Sequence, residues 1–189
     1  MKRVLPQLLL PVSLLLASPS SAETYTFDPD HTVILFRVDH LGFSKTIGRF
    51  GEFEGEFTFS GKPAADANVK LTIEASSVDT FVPRRDQHLR SPDFFSVEEF
   101  PKISFQSTKI EPTGDATAKV TGDLTLHGVT KPVVIEMQVN RVGKNPRGVD
   151  VAGFSGATTL KRSDFGMMYG QGGIGDQIEI WLEVEGMKK

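Results

Sequence analysis

The chain has no cysteine among its 189 residues. Disulfides, thiolate metal ligands and cysteine nucleophiles are therefore excluded, and the fold must hold by packing and hydrogen bonding alone. It has one tryptophan and two tyrosines against 14 phenylalanines. Nearly all its rings thus lack a polar atom and belong in a core or against an apolar ligand. It has no excess of positive charge either. The formal net charge of −3 gives nucleic acid no electrostatic footprint. What is present, a hydrophobic fraction of 39%, suffices for the core of one domain.

The N-terminus reads as an export leader. Met1-Lys2-Arg3 is a short positive start, Leu8–Leu10 and Val12–Ala17 are apolar, and Ser20-x-Ala22 offers a small-residue cleavage site. Pro6 and Pro11 interrupt the apolar stretch, which is too short to span a bilayer at about 20 residues. The expectation is a signal peptide over residues 1–22, a mature domain over residues 23–189, and a periplasmic location. Loss of Lys2 and Arg3 takes the charge from −3 to −5.

Period-two alternation dominates after residue 30. Phe53-Glu54-Gly55-Glu56-Phe57-Thr58-Phe59 puts Phe or Gly on one face and polar groups on the other. Val69–Ala75, Val133–Val139 and Ile178–Val184 repeat it, and Thr32–Val38, Ile103–Lys109, Thr117–Leu126 and Val149–Leu160 are further strands. Gly61-Lys62-Pro63, Pro112-Thr113-Gly114, His127-Gly128 and Asn145-Pro146 are turn signals between them. Pro83–Arg90 predicts one short helix with proline at its first position. The pattern predicts an all-β antiparallel barrel or sandwich of about eight strands. Glu52, Glu54, Glu56, Lys70 and Glu74 on the outer face argue against a barrel set in lipid. An eight-stranded interior is either filled by side chains or able to hold one small ligand, and the alternation leaves both open.

An ordered set of runs carries a family resemblance. They are Asp28-Pro29-Asp30-His31-Thr32, Gly48-Arg49-Phe50, Phe53-Glu54-Gly55, Ser77-Val78-Asp79-Thr80 and Arg85-Asp86-Gln87-His88-Leu89-Arg90-Ser91-Pro92-Asp93-Phe94-Phe95. Phe100-Pro101, Phe105-Gln106-Ser107, Gly122 through Pro132, and Ser163-Asp164-Phe165-Gly166-Met167 follow. In this order the chain resembles the YceI-like bacterial periplasmic lipid-binding proteins over essentially its whole mature length. Thr32 and Ser96 depart from the usual serine and acid. The resemblance implies a lipocalin-like barrel with an elongated apolar cavity for a polyisoprenoid or similar lipid, and it implies no catalytic residues and no cofactor. A tunnel of that kind would be lined by Phe36, Phe53, Phe57, Leu71, Ile73, Phe95, Phe105, Ile135, Met137 and Met167.

Arg84, Arg85, His88 and Arg90 gather four cationic groups around Asp86. Arg85 or His88 would hold a lipid head group at the mouth, while Asp86 would pair with a neighbouring arginine. The spacings of His31, His40, His88 and His127 match no standard metal pattern, and His127 in a tight turn suits a backbone bond. Ser155 lacks the nucleophile elbow of a hydrolase. Gly170–Gly175 fits G-x-G-x-x-G but follows no βαβ unit and reads as a loop before the last strand. Trp181 falls on the polar face of its strand, outside or in a homodimer contact. The leading expectation is a non-enzymatic carrier of a long-chain isoprenoid of the quinone or polyprenyl phosphate class. The alternative is a packed structural or stress-response barrel without a lipid.

Overall fold

The structure, a computed structural model, describes residues 22–189; the expected leader lies outside them except for Ala22. Alternation becomes sheet almost everywhere. In chain order the strands are β1 (Glu23–Phe27), β2 (Val33–His40), β3 (Ser44–Phe50), β4 (Phe53–Phe59), β5 (Asn68–Glu74) and β6 (Val78–Asp79). The helix α1 (Pro83–Arg90) follows. Then come β7 (Lys102–Pro112), β8 (Thr117–Leu126), β9 (Val129–Lys144), β10 (Asp150–Lys161) and β11 (Ile174–Lys188). Every pairing is antiparallel, and β1 against β11 closes the sheet.

These 11 segments make eight wall positions. β1 and β2 both lie along β11, with Phe27 opposite Gly186 and Val33 opposite Glu183, so they are one strand broken at residues 28–32. β3 and β4 are likewise one broken strand, opposite β2 at Phe50–Ile34 and opposite β1 at Glu56–Thr26. β5 and β6 are the third, interrupted by a 3-10 turn at Ala75–Ser77. From β7 to β11 each strand pairs with the next. The result is a closed, up-and-down, lipocalin-like barrel, and each segment read from the sequence occupies a different position in it. Full closure leaves no long sheet edge open to another chain.

The first break is clasped by side chains. Thr32 Oγ1 donates to Glu185 O at 3.0 Å and accepts the Glu185 N–H at 3.1 Å, while the Asp28 N–H donates to Glu185 O at 2.8 Å. The departure from serine at position 32 thus keeps the hydroxyl that the clasp uses. Asp28 accepts the Asp30 N–H at 3.0 Å and meets His31 Nδ1 at 2.9 Å.

α1 starts at Pro83, as the sequence predicts, and ends under Ser91. It is fastened across one end of the barrel by polar bonds rather than by a greasy face. Asp86 is buried and accepts the N–H of Thr80 at 2.8 Å together with the Thr80 hydroxyl. This corrects the expected Asp86–arginine pair. The adjacent Arg85 turns instead to Thr80, its Nε 2.7 Å from Oγ1 and its Nη2 2.8 Å from the carbonyl. Arg90 bonds the carbonyls of Ser76 and Val78 at 2.6 and 2.9 Å.

A candidate lipid tunnel

The inward phase of nearly every strand is apolar, and although Phe57 and Phe59 of β4 meet Phe154 of β10 at 5.3 and 5.0 Å, the side chains leave an apolar space between the walls. Several side chains lie flat over a glycine of another strand of the wall. The Phe36 ring covers Gly48, Phe105 covers Gly122, Met137 Sδ covers Gly156, and Phe57 covers Gly186; a Cβ at any of these glycines would fall inside contact distance. Glycine is otherwise unfavourable in a strand and marks sites of close approach. Here the four absent Cβ atoms let large side chains lie along the wall instead of filling the lumen.

A cavity of about 280 Å³ remains along the axis. At one end it reaches Thr58, Phe59, Ala64, Ala67 and Ala116, at the β4–β5 and β7–β8 connections. At the other it reaches Leu89 of α1, Phe94 and Phe95 behind it, and Met167 and Ile174. The lining on β11 alone runs from Ile174 to Val184. Ten steps of about 3.3 Å at a tilt near 40° give a tunnel about 25 Å long.

Most of the few polar residues on the lining spend their hydrogen bonds elsewhere. Thr158 Oγ1 donates to Val134 O at 2.7 Å, and Thr32 serves the clasp. The buried Arg162 donates to the carbonyls of Met167, Gly175 and Ile174 at 2.7, 3.0 and 3.1 Å. The interior thus offers an alkyl or isoprenyl chain apolar contact and hardly a donor or acceptor.

The structure brings Phe36, Phe57, Leu71, Ile73, Phe95, Phe105, Ile135, Met137 and Met167 together on this lining. Phe53, Arg85 and His88 stand apart from it. Phe53 packs edge-on to Phe27, with ring centroids 6.5 Å apart. Arg85 is held by Thr80, and His88 Nε2 meets Asp93 at 2.8 Å; both border a shallow groove on the outer face of α1. Sequence reasoning missed Leu89 and Phe94, which close one end, and the four glycine seats. The seats carried a signal: each falls on the inward phase of its strand, as Gly55 does in Phe53–Phe59.

The other sequence candidates fall into place. His127 bonds Phe165 O at 3.1 Å, as expected of a turn imidazole. Ser155 lies between Glu183 and Asn140, at 2.7 and 2.8 Å. Gly170–Gly173 form the turn before β11, with Gly170 and Gly172 at positive φ. Trp181 is on the outer face, stacked under Arg37 at 4.5 Å. One grouping with metal-ligand chemistry appears among the described residues, Asp28, His31 and Glu185, whose ligand atoms lie within 4.8 Å of one another. His31 and Asp28 already bond each other in the clasp.

Comparison with known proteins agrees with this geometry. The YceI-like domain family matches residues 25–186. A UPF0312 protein of Pseudomonas aeruginosa is 44% identical over 192 residues, covering all of both chains. Among solved structures, BcnA of Burkholderia cenocepacia superposes with a TM-score of 0.77 at 23% identity, covering 84% of this chain and 98% of its own. A polyisoprenoid-binding domain of Saccharophagus degradans, implicated in plant cell wall breakdown, gives 0.68 at 15%, covering 87% and 98%. At such identities these two structures speak for the fold.

Proposed function

The chain belongs to the YceI-like family, and from that premise we propose that it is a non-enzymatic binding protein for a long-chain isoprenoid of the quinone or polyprenyl phosphate class. The observation that carries this reading is the tunnel: a narrow space about 25 Å long, walled by Phe, Ile, Leu, Val and Met from all eight wall positions. Burying each CH₂ contributes about 0.8 kcal/mol, so a long chain is held without covalent chemistry. Branched isoprene methyls suit a wall of rings and a pliable methionine. That a structural neighbour is a polyisoprenoid-binding domain supports the same ligand class. The leader read from residues 1–22 supports a periplasmic site of action.

The lining residues named above would make the contacts. With so few polar groups free inside, a polar head group would stay at a mouth of the tunnel. Organic extraction of the purified protein, followed by mass spectrometry, tests the reading. A co-purifying isoprenoid in stoichiometric amount is expected. A clean apo mass, together with failure to take up a polyprenol added in detergent, would contradict it.

A further inference from the structure

Five large apolar side chains are turned toward water at the end of the barrel that α1 covers: Phe43 at 88% exposure, Phe81 at 67%, Leu41 at 55%, Met168 at 51% and Tyr169 at 47%. They come from three separate connections that the fold brings side by side. The Leu41 N–H donates to Gly173 O at 2.8 Å, joining the β2–β3 turn to the loop before β11. In that loop Tyr169 packs on His88 and Phe94, with centroids 5.0 and 5.2 Å away, joining it to α1. Phe81 and Val82 lead directly into α1.

Tyr169 has its ring partners and Phe81 lies under the Arg49 guanidinium at 5.6 Å, but the packing does not account for the apolar Leu41, Phe43 and Met168. Leu41 and Phe81 sit at φ of 55° and 64°, left-handed backbone where asparagine or glycine costs less. At both positions a strained site presents a greasy residue to solvent. Patches of this kind mark surfaces that meet a partner or a membrane.

The charges beside them select the partner. Arg84 is exposed and has no acidic partner among the described residues, and Arg85 and Arg90 bond only hydroxyl and carbonyl oxygens. The one acid of α1, Asp86, is buried beneath the helix. Of the other acids at this end, Asp79 pairs with Arg49, Asp93 meets His88, Glu179 pairs with Arg37 and Lys45, and Asp164 with Lys131, while Asp39 accepts the Gly42 N–H and Asp176 the N–H and hydroxyl of Ser163. Glu98 and Glu99 precede Phe100, whose ring packs on His127 at the β8–β9 turn, four wall positions from the β2–β3 turn. Apolar side chains beside guanidiniums, with the exposed Glu98 and Glu99 across the barrel and Asp39 and Asp176 engaged by N–H and hydroxyl donors, match the interface of an anionic bilayer.

We propose that this end of the barrel docks on an anionic phospholipid surface, tilted so that Phe43, Phe81 and Tyr169 enter the headgroup layer and Arg84 meets lipid phosphate. The choice of a bilayer over another partner rests on the proposed function, because an isoprenoid is drawn from and returned to membranes. Leu89 and Phe94 place the tunnel end directly behind the docked face. A lipid would then pass between bilayer and tunnel without crossing water.

Flotation of the purified protein with vesicles tests this. Vesicles of phosphatidylethanolamine and phosphatidylglycerol should carry the protein upward, and pure phosphatidylcholine vesicles several-fold less. Phe43→Ser and Phe81→Asn should each weaken flotation about tenfold or more, and Arg84→Ala about fivefold on the anionic vesicles only. Phe43 touches little and asparagine accepts the backbone of position 81, so both variants should fold. Their polyprenol uptake from detergent should stay at the wild-type level. Wild-type protein that takes up polyprenol yet fails to float would overturn the docking face and leave the tunnel reading intact. So would equal flotation of wild type and the two phenylalanine variants. Sedimentation velocity without vesicles supplies the remaining arm: a dimer abolished by Phe43→Ser would mean that a second copy covers the patch, and the proposal would fail.

Discussion

At the scale of single residues, the tunnel depends on what four glycines lack. Gly156 and Gly122 separate the two consequences of adding a methyl. At Gly156 the obstructing atoms belong to Met137, a flexible side chain, with Ile135 next at 3.4 Å. Gly156→Ala should therefore fold with little loss while swinging Met137 into the lumen, and polyprenol uptake should fall. At Gly122 the new Cβ meets the Phe105 ring and the Gln106 carbonyl at 2.6 Å. The backbone cannot swing aside, so Gly122→Ala should cost about 1–3 kcal/mol of stability in urea denaturation. Equal effects of the two changes on both readouts would remove the glycine seats from the account. Asp86 is a second residue-level case. Asp86→Ala strands the buried N–H and hydroxyl of Thr80, at a cost of about 1–3 kcal/mol. Which partner Asp86 takes was not legible in the sequence. Two arginines flank it, but the turn at Phe81 aims the Thr80 donors at it first, and no local pattern announces that geometry.

At the scale of elements, legibility follows the inward phase. β4, β5, β8 and β9 alternate cleanly because their inner faces are mostly Phe, Val, Leu, Ile or Met, broken only by small residues such as Gly55, Ala118 and Gly122. β3 shows no period because Thr46 and Gly48 precede the single inward ring, Phe50, while an apolar Ile47 points out at 48% exposure. β6, with two residues, is too short to show a period, and β1, with five, directly follows the segment read as a leader. The clasp between β1 and β2 makes a prediction about pH. Burial pushes the Asp28 carboxyl up, but its bonds from His31 and the Asp30 N–H leave it below its ordinary 3.8. The same bond to Asp28 raises the His31 imidazole above its ordinary 6.5. The Asp28 contribution is present above about pH 4 and is lost as pH falls through the depressed folded value. The His31 contribution is full below about pH 6.5 and is lost as pH rises through the elevated one. The melting temperature should therefore decline slightly between pH 6.5 and 8, and His31→Gln should abolish that decline. A wild-type profile flat over this interval would show that the pair does not hold the break.

At the scale of the whole molecule, alternation left barrel and sandwich both open and closure rested on the family resemblance, but the antiparallel all-β class and about eight wall positions could be read from alternation alone. Whether the barrel is solid or hollow could not. Alternation says which way a side chain points, not how far it reaches toward the axis, and that reach is set by cross-strand neighbours such as Gly122 beneath Phe105. The hollow interior is the central claim, and its thermodynamic signature differs from that of a packed core. Truncating a large side chain in a filled core costs about 2–5 kcal/mol, much of it for the void left behind. Ile135→Ala in a tunnel wall enlarges a space that already exists, so the apo protein should lose less than that range. Ligand that binds the folded state alone must also raise its melting temperature. The direct test is thermal denaturation of wild type and Ile135→Ala, each with and without a saturating polyprenol. The account predicts a clear upward shift for the wild type, a smaller one for the variant, and only modest destabilisation of the apo variant. A wild-type melting temperature unmoved by polyprenol, with apo Ile135→Ala losing the full core amount, would mean a barrel packed solid and would contradict it.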